Sequence, residues 1–340
     1  MISPLRAVSA GREAVVMLLT AAAIIALPWF LELIGGYRDL ATMILIWGLF
    51  ALGFDILLGF TGFLSFGHAA FWGVSAYATG FYLLHVGDTV LPAMLMAVVI
   101  STVLALALGY LTLRRHGIYF AILTLAFAEM LYFLGLSPLK GITGGENGLT
   151  GIPTPVLLGS LDLTGEVMYW FTAVVVFIGV YVARRIVRSP HGLMFRAIKS
   201  NETRLAFTGV NTWKYKMMAF AISGIYGGVA GSLFTVHQTY VGVNSLHWTT
   251  SGEVVMMSVI GGVGTLFGPM LGAGILLYLE NVLSAALAEW ELVLGLIFMG
   301  FVIFLPGGLV EGLRRLYNLV FGRRGEAHGE AAAPAGEQAD

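Results

Sequence analysis

Four acids, Asp55, Glu129, Glu253 and Glu280, fall within or near long apolar runs. A charge at the centre of a membrane helix costs about 2.5–3.5 kcal/mol on insertion scales, so each of the four is a functional candidate. Two chemistries are open to them. One is coupling to a proton or cation, for which Glu129 is the deepest by this count. The other is plain hydrogen bonding inside a helix bundle or near its ends. Nothing else in the chain suggests covalent catalysis. Paired catalytic carboxylates, a His-rich metal set and a nucleophile motif are all missing, so a membrane-embedded enzyme is disfavoured and no metal is expected. With Cys 0 there is no thiolate, disulfide or cysteine metal site.

Two glycine-rich stretches interrupt the apolar runs. The first, Gly59 to Tyr77, reads GFTGFLSFGHAAFWGVSAY. Gly59, Gly62 and Gly67 suit a broken helix or re-entrant hairpin, tolerated at membrane depth only where protein or a cavity surrounds it. Close packing through small residues explains the same glycines. On the first reading Gly59, Thr61, Gly62, Ser65, Gly67, His68, Phe71 and Tyr77 line a path. On the second, His68 is a hydrogen-bonded core histidine. A fainter echo, GGVGTLFGPMLG from Gly261 to Gly272, shares the order G-x-x-G-x-L and then Phe-Gly. The pair reads as an internal repeat whose two broken segments meet inside the bundle. A third stretch, TGGENGLTGIP, places Gly144, Gly145, Asn147, Gly148, Gly151 and Pro153 in successive tight turns. It is not a P-loop, and no G-x-x-x-x-G-K-[ST] occurs anywhere, so any ATP used is hydrolysed by another chain.

The one long polar stretch runs from 184 to 216 and carries eight of the 18 Lys and Arg residues, with Glu202 its only acid. A basic segment between membrane spans belongs on the cytoplasmic side. There it rests on anionic lipid or receives another protein. Ser189 followed by Pro190 reads as a helix start. Asn201 suits the cap of a second short helix with Glu202 in its first turn, and Gly209 suits its end. As a docking element, Met194, Ile198 and Leu205 would supply buried contact. Arg196 and Glu202 would pair with a partner's charges, and Gly192 and Gly209 would let the chain turn.

The elements that must position these residues are membrane helices. Of the 340 residues 58% are hydrophobic and 11% charged, against roughly 25% charged in a soluble domain. Apolar runs at 14–31, 40–60, 69–84, 91–113, 118–136, 167–182, 217–236, a 254–283 stretch split in two, and 292–305 give about ten spans, with eight as the fallback. Arg6 and Arg12 precede the first run, which is too long for a signal peptide's apolar core. The expectation is an all-α polytopic bundle, one domain over residues 1–322, with both termini cytoplasmic. Its coupling loop is 184–216, its outer loop 137–166, and 323–340 is a disordered tail rich in Ala, Glu and Gly. A net charge of −1 gives no sign of nucleic-acid binding.

Three segments together resemble one family. TGFLSFGHAAFWGVSAY, TGGENGLTGIP and HGLMFRAIKSNETRLAFTGVN are similar, in that order and spacing, to the permease subunits of bacterial ABC importers for branched-chain amino acids, the M-type of the Leu/Ile/Val system. The likeness covers roughly residues 41–308. It implies an inner-membrane subunit that forms a path with a second, different permease. A periplasmic or surface binding protein delivers the amino acid, and two ATPase subunits bind ATP and Mg. It also implies that Gly192, Met194, Arg196, Ala197, Ile198, Asn201, Glu202, Leu205 and Gly209 couple to the ATPase. Two positions depart from the pattern: Phe63 stands where Gln is usual, and Leu193 where Arg commonly follows the glycine. Urea and short-chain amide importers share the wider family. The rival from another class is an ion-coupled secondary transporter.

Overall fold

The computed structural model describes residues 4–157, 159, 161–305 and 307–313. The expected disordered tail and the arginines 314, 315, 323 and 324 lie outside the described residues, as do the side chains of Arg6 and Arg12.

In chain order the helices are α1 (Pro4–Leu33), α2 (Arg38–Thr61), α3 (His68–His85), α4 (Val90–Thr112), α5 (Ile118–Leu136), the single turn α6 (Lys140–Thr143), α7 (Gly165–Val187), α8 (Pro190–Phe207), α9 (Thr212–Gln238), α10 (Trp248–Gly261), α11 (Gly268–Ala286) and α12 (Trp290–Phe304). The two strands, β1 (Val156–Leu157) and β2 (Leu161–Asp162), form a small antiparallel pair in the loop before α7. Among the described residues, seven helices are long and apolar enough to cross a membrane. They are α2, α4, α5, α7, α9, α11 and the Glu13–Leu33 part of α1. The 14-residue α10 and 15-residue α12 are shorter than an ordinary span. The stretch expected at 254–283 does divide in two, with the short helix first.

The core forms around α2 and α9. Buried α2 carries Trp47, Phe50, Phe54 and Asp55, and α9 packs against α2, α3 and α4. Lipid supplies no hydrophobic drive between helices, so small side chains and interhelical hydrogen bonds hold them together. Thr79 of α3 donates to Ser232 of α9 at 2.7 Å, Thr235 of α9 to the Ala76 carbonyl at 3.0 Å, and Ser101 of α4 to the Gly224 carbonyl at 2.9 Å. Gly231 sits where a Cβ would lie 2.2 Å from the Trp72 carbonyl oxygen. On the periphery, α1 is fastened to α7 near one end, where Glu13 pairs with Arg184 at 2.7 Å and with Arg188.

The close approach of α3 and α9 makes a prediction. Gly231→Val should lower the melting midpoint of the detergent-solubilised protein and its folded yield, because overpacking costs about 1–3 kcal/mol and here the obstacle is backbone. Gly87→Ala, where nothing lies within 4 Å of the new Cβ, should leave both unchanged.

Candidate functional site

The first glycine-rich stretch is a true break. Helix α2 stops at Thr61, whose hydroxyl turns back to the Leu57 carbonyl at 2.6 Å. Gly62 then takes the left-handed conformation, φ 81°, that ends a helix readily. The segment 62–67 is not helical. It is held by side chains from elsewhere in the fold, since the Phe66 amide donates to the Thr124 hydroxyl of α5 at 3.2 Å. At the start of α3, the Ala69 amide donates to Ser251 of α10 at 2.8 Å, so a distant helix supplies the cap. His68 is fully buried among the rings of Phe50, Phe54, Phe71 and Phe220. Its Nε2 lies 2.7 Å from the Ser223 hydroxyl, which donates its own proton to the Gly53 carbonyl. The imidazole is therefore the donor in that pair. Thr61, Ser65, Gly67, His68 and Phe71 are buried within this chain, Gly59 is likewise buried, Tyr77 is half-buried, and Gly62 is exposed.

The second stretch breaks in the same way, and the two breaks meet at one carboxylate. After α10 ends at Gly261, residues 262–267 turn through positive φ at Gly262, Gly264 and Leu266. Asp55, buried on α2, accepts from the Gly264 amide at 2.7 Å and from the Leu266 amide at 3.3 Å. Gly59 faces Gly264 so closely that a Cβ on it would lie 2.6 Å from the Gly264 nitrogen and 2.2 Å from Asp55 Oδ1. From α8, Lys199 donates to the Gly59 carbonyl at 2.8 Å, and its charge acts on Asp55. The meeting of two broken segments expected from the repeat is thus present, and α8 joins it. The bond from Lys199 to the Gly59 carbonyl was not visible in the sequence, because a long-range bond to a backbone oxygen leaves no spacing to read.

The expected pair of short helices appears as α8 with a kink. Asn201 leaves helical geometry (φ −164°, ψ 97°), and its side chain accepts from the Arg204 amide at 2.8 Å. Gly209 follows with φ 82°. Ser189 starts the helix by its extended backbone and not by a side-chain cap, since its hydroxyl donates backward to Ile186. Several roles expected of α8 are corrected. Ile198 is only 4% exposed and packs, with Phe195 and Gly192, against the chain itself. Leu205 is half-buried against the same core. Arg196 is exposed and lies over the Phe60 ring, 5.4 Å from its centroid. Glu202 has its partners within the chain, with Lys216 at 2.7 Å, the Thr212 hydroxyl at 2.9 Å and His116 at 3.4 Å. Partial burial alone would raise the Glu202 carboxyl, but the bonds from Lys216 and Thr212 and the nearby charges of Lys216 and His116 outweigh it and hold it below the usual range. Leu193, 58% exposed, and Phe207, 87% exposed, are the large apolar groups that α8 offers outward, with Met194 and Ala197 half-buried.

At the far end of the bundle the third glycine stretch makes the turns expected of it. Gly144, Gly145, Gly148 and Gly151 all have positive φ. Next to Gly148, Leu149 and Val241 exchange backbone hydrogen bonds of 2.8 and 3.1 Å, tying this loop to the one after α9. Glu129 of α5 accepts from the Trp248 amide at the start of α10 at 3.1 Å, with His247 3.7 Å away. That is the hydrogen-bonding role weighed for it.

Residues 36–305 match the family described as branched-chain amino acid transport system / permease component. Among curated proteins, the chain is 29% identical to the high-affinity branched-chain amino acid transport system permease protein LivM of Salmonella typhimurium (strain LT2), over 93% of this chain and 79% of the relative. The LivM protein of Escherichia coli (strain K12) gives the same identity and coverage. The autoinducer 2 import system permease protein LsrC of Enterobacter sp. (strain 638) is 30% identical over 64% of this chain and 65% of its own length. No solved structure matches the chain.

Two predictions follow from the bonds around Asp55 and Glu202. A hydrogen bond to a charged group is worth roughly 1.5–3 kcal/mol, and each 1.4 kcal/mol is tenfold. Asp55→Ala should therefore speed hydrogen exchange of the Gly264 and Leu266 amides at least about tenfold in nanodiscs, with Asp55→Asn in between. Unchanged exchange would mean that the turn is held by other groups. For Glu202, the lowered carboxyl gives a contribution that is complete above the usual carboxylate value. It is lost as pH falls through the lowered one. Acid should loosen 202–216 in the wild type, and Glu202→Gln should show that loosening already at neutral pH, read by the same exchange measurement.

Proposed function

Because the chain belongs to the permease family of branched-chain amino acid transport systems, as an M-type member, we propose that it is one of two permeases in an ATP-binding cassette importer. A binding protein delivers a branched-chain amino acid, and separate ATPase subunits bind ATP and Mg and hydrolyse the nucleotide. The chain resides in the bacterial inner membrane with both termini cytoplasmic. It crosses about ten times, with α3, α10 and α12 counted beside the seven long spans. The lipid around α4 and α5 meets their exposed apolar faces.

One observation carries this reading. Helix α8 offers exposed Leu193 and Phe207 outward while its Lys199 bonds the carbonyl of Gly59, where the two helix breaks meet. A segment that only marks topology needs no such bond. A push on α8 by a closing ATPase reaches Gly59 directly, and through Asp55 it reaches the turn at Gly264. The contact with the ATPase runs through Leu193, Phe207 and the half-buried Met194 and Ala197. Gly192 and Ile198 seat the helix in its own chain, and Asn201, Glu202 and Gly209 set its bend and its exit.

The named relatives favour a branched-chain amino acid as substrate. The likeness to LsrC, a permease named for autoinducer 2 import, supports a second reading in which the same framework carries a small solute other than an amino acid.

The docking arrangement is tested by pull-down. Phe207→Asp should leave the permease in the membrane and lose the ATPase, because it puts a charge into a buried apolar contact. Ile198→Asp should instead lower the yield of the permease itself. Wild-type recovery of the ATPase with Phe207→Asp would end the docking role of that residue. The energy source is tested in vesicles, where uptake should stop when the ATPase is inactivated and persist when the proton gradient is collapsed. Uptake that follows the gradient and ignores ATP would instead support the ion-coupled reading.

A further inference from the structure

A cavity of about 560 Å³ lies at the end of the bundle away from α8. Its position follows from α9, which starts beside α8 at Thr212 and reaches Phe234 in the cavity wall about 33 Å further on, at 1.5 Å per residue. The volume falls in the range of about 300–1,000 Å³ typical of small-molecule sites. One side of the cavity is aromatic. The rings of Trp47 and Trp72 lie 4.7 Å apart, and Phe234 is 5.1 Å from Trp72. The other side is polar, with Asn244 of the turn Val243–Leu246, and Thr249 and Glu253 of α10.

Glu253 is the one acid in this wall, and among the described residues no Lys, Arg or His stands within 4 Å of it. Of the other acids in the bundle, Asp55 is satisfied by two amides and Glu129 by the Trp248 amide. Among the described residues no hydrogen-bond donor reaches the Glu253 carboxyl, which lines the cavity with Trp47 and Phe234. A carboxylate so placed, with aromatic faces next to it, favours an ammonium group.

We propose that this cavity is a receiving site for an amino acid with an apolar side chain. Its ammonium group pairs with Glu253, its side chain rests on Phe234 and the accessible edge of Trp47, with Trp72 buried behind them, and its carboxylate takes a hydrogen bond from the Asn244 amide. The inference rests on the importer reading for its source of ligand and sharpens it for substrate class, because a neutral amide offers Glu253 no charge. The site is weak by construction. The cavity is larger than the ligand, and water fills the remainder.

Saturation-transfer NMR on the full chain in lipid nanodiscs tests this, with empty nanodiscs as the blank for partition into lipid. The probes are leucine, 3-methylbutylamine, which lacks the carboxylate, and 4-methylpentanoate, which lacks the ammonium group. Leucine and the amine should give methyl signals above the blank, and the acid should not. Glu253→Gln should reduce both signals at least fivefold. Asn244→Leu, at an exposed position, should reduce the leucine signal and leave that of the amine unchanged, which separates lost recognition from lost folding. Signals for 4-methylpentanoate equal to those for leucine, or signals indifferent to Glu253→Gln, would overturn the site. Vesicle uptake keeps the two readings apart. ATP-driven uptake with binding indifferent to Glu253 removes the site and keeps the importer, whereas gradient-driven uptake removes the importer and leaves the binding result standing.

Discussion

A buried carboxylate with two backbone amides for partners organises this molecule. Asp55 is fully buried on α2 among apolar side chains, where an ionised group without partners would be very costly. The amides of Gly264 and Leu266 have themselves lost their helical partners at a break. Each side satisfies what the other lacks. The break at 262–267 therefore exists where α2 can serve it, and α2 carries an acid where the break can hold it. Gly59 follows from the same constraint, since any side chain there would collide with Asp55 or with Gly264.

The first break obeys the same rule with different groups. Non-helical backbone inside a membrane bundle must be paired within the protein. Thr124 serves the Phe66 amide, and Ser251 serves the Ala69 amide at the start of α3. The hydroxyls come from α5 and α10, so the break links helices far apart in the chain. Lys199 adds α8 to this network by bonding Gly59. The two ends of the bundle are then built differently. The α8 end is tied to the breaks by charged and backbone groups, while the far end is closed by loops that bond to each other through Leu149 and Val241 and leave an aromatic cavity beside them.

Much of this was legible in the amino-acid sequence. The long apolar runs set the helices, because backbone in lipid has few other ways to pair its polar groups. Pro190, Asn201 and Gly209 located α8, its kink and its end, because capping and left-handed positions depend on local backbone chemistry alone. The glycines of 144–151 announced their turns for the same reason, and the echo between 59–67 and 261–268 announced two breaks. The three motifs in order also identified the permease family, which the match over residues 36–305 bears out.

The tertiary structure alone decided which groups meet. Ile198 and Glu202 have the composition of a docking face, yet one is buried in its own chain and the other is taken by Lys216, Thr212 and His116. Which side of α8 turns outward depends on what α2 and α9 present to it, and no spacing within α8 records that. His68 could have faced a path or a core. Ser223, 155 residues away, decided for the core. Asp55, Glu129 and Glu253 look alike in a run of apolar residues. Their different surroundings, two amides, a helix start and an open aromatic cavity, are set by helices packing across the bundle, and that information lies in the fold.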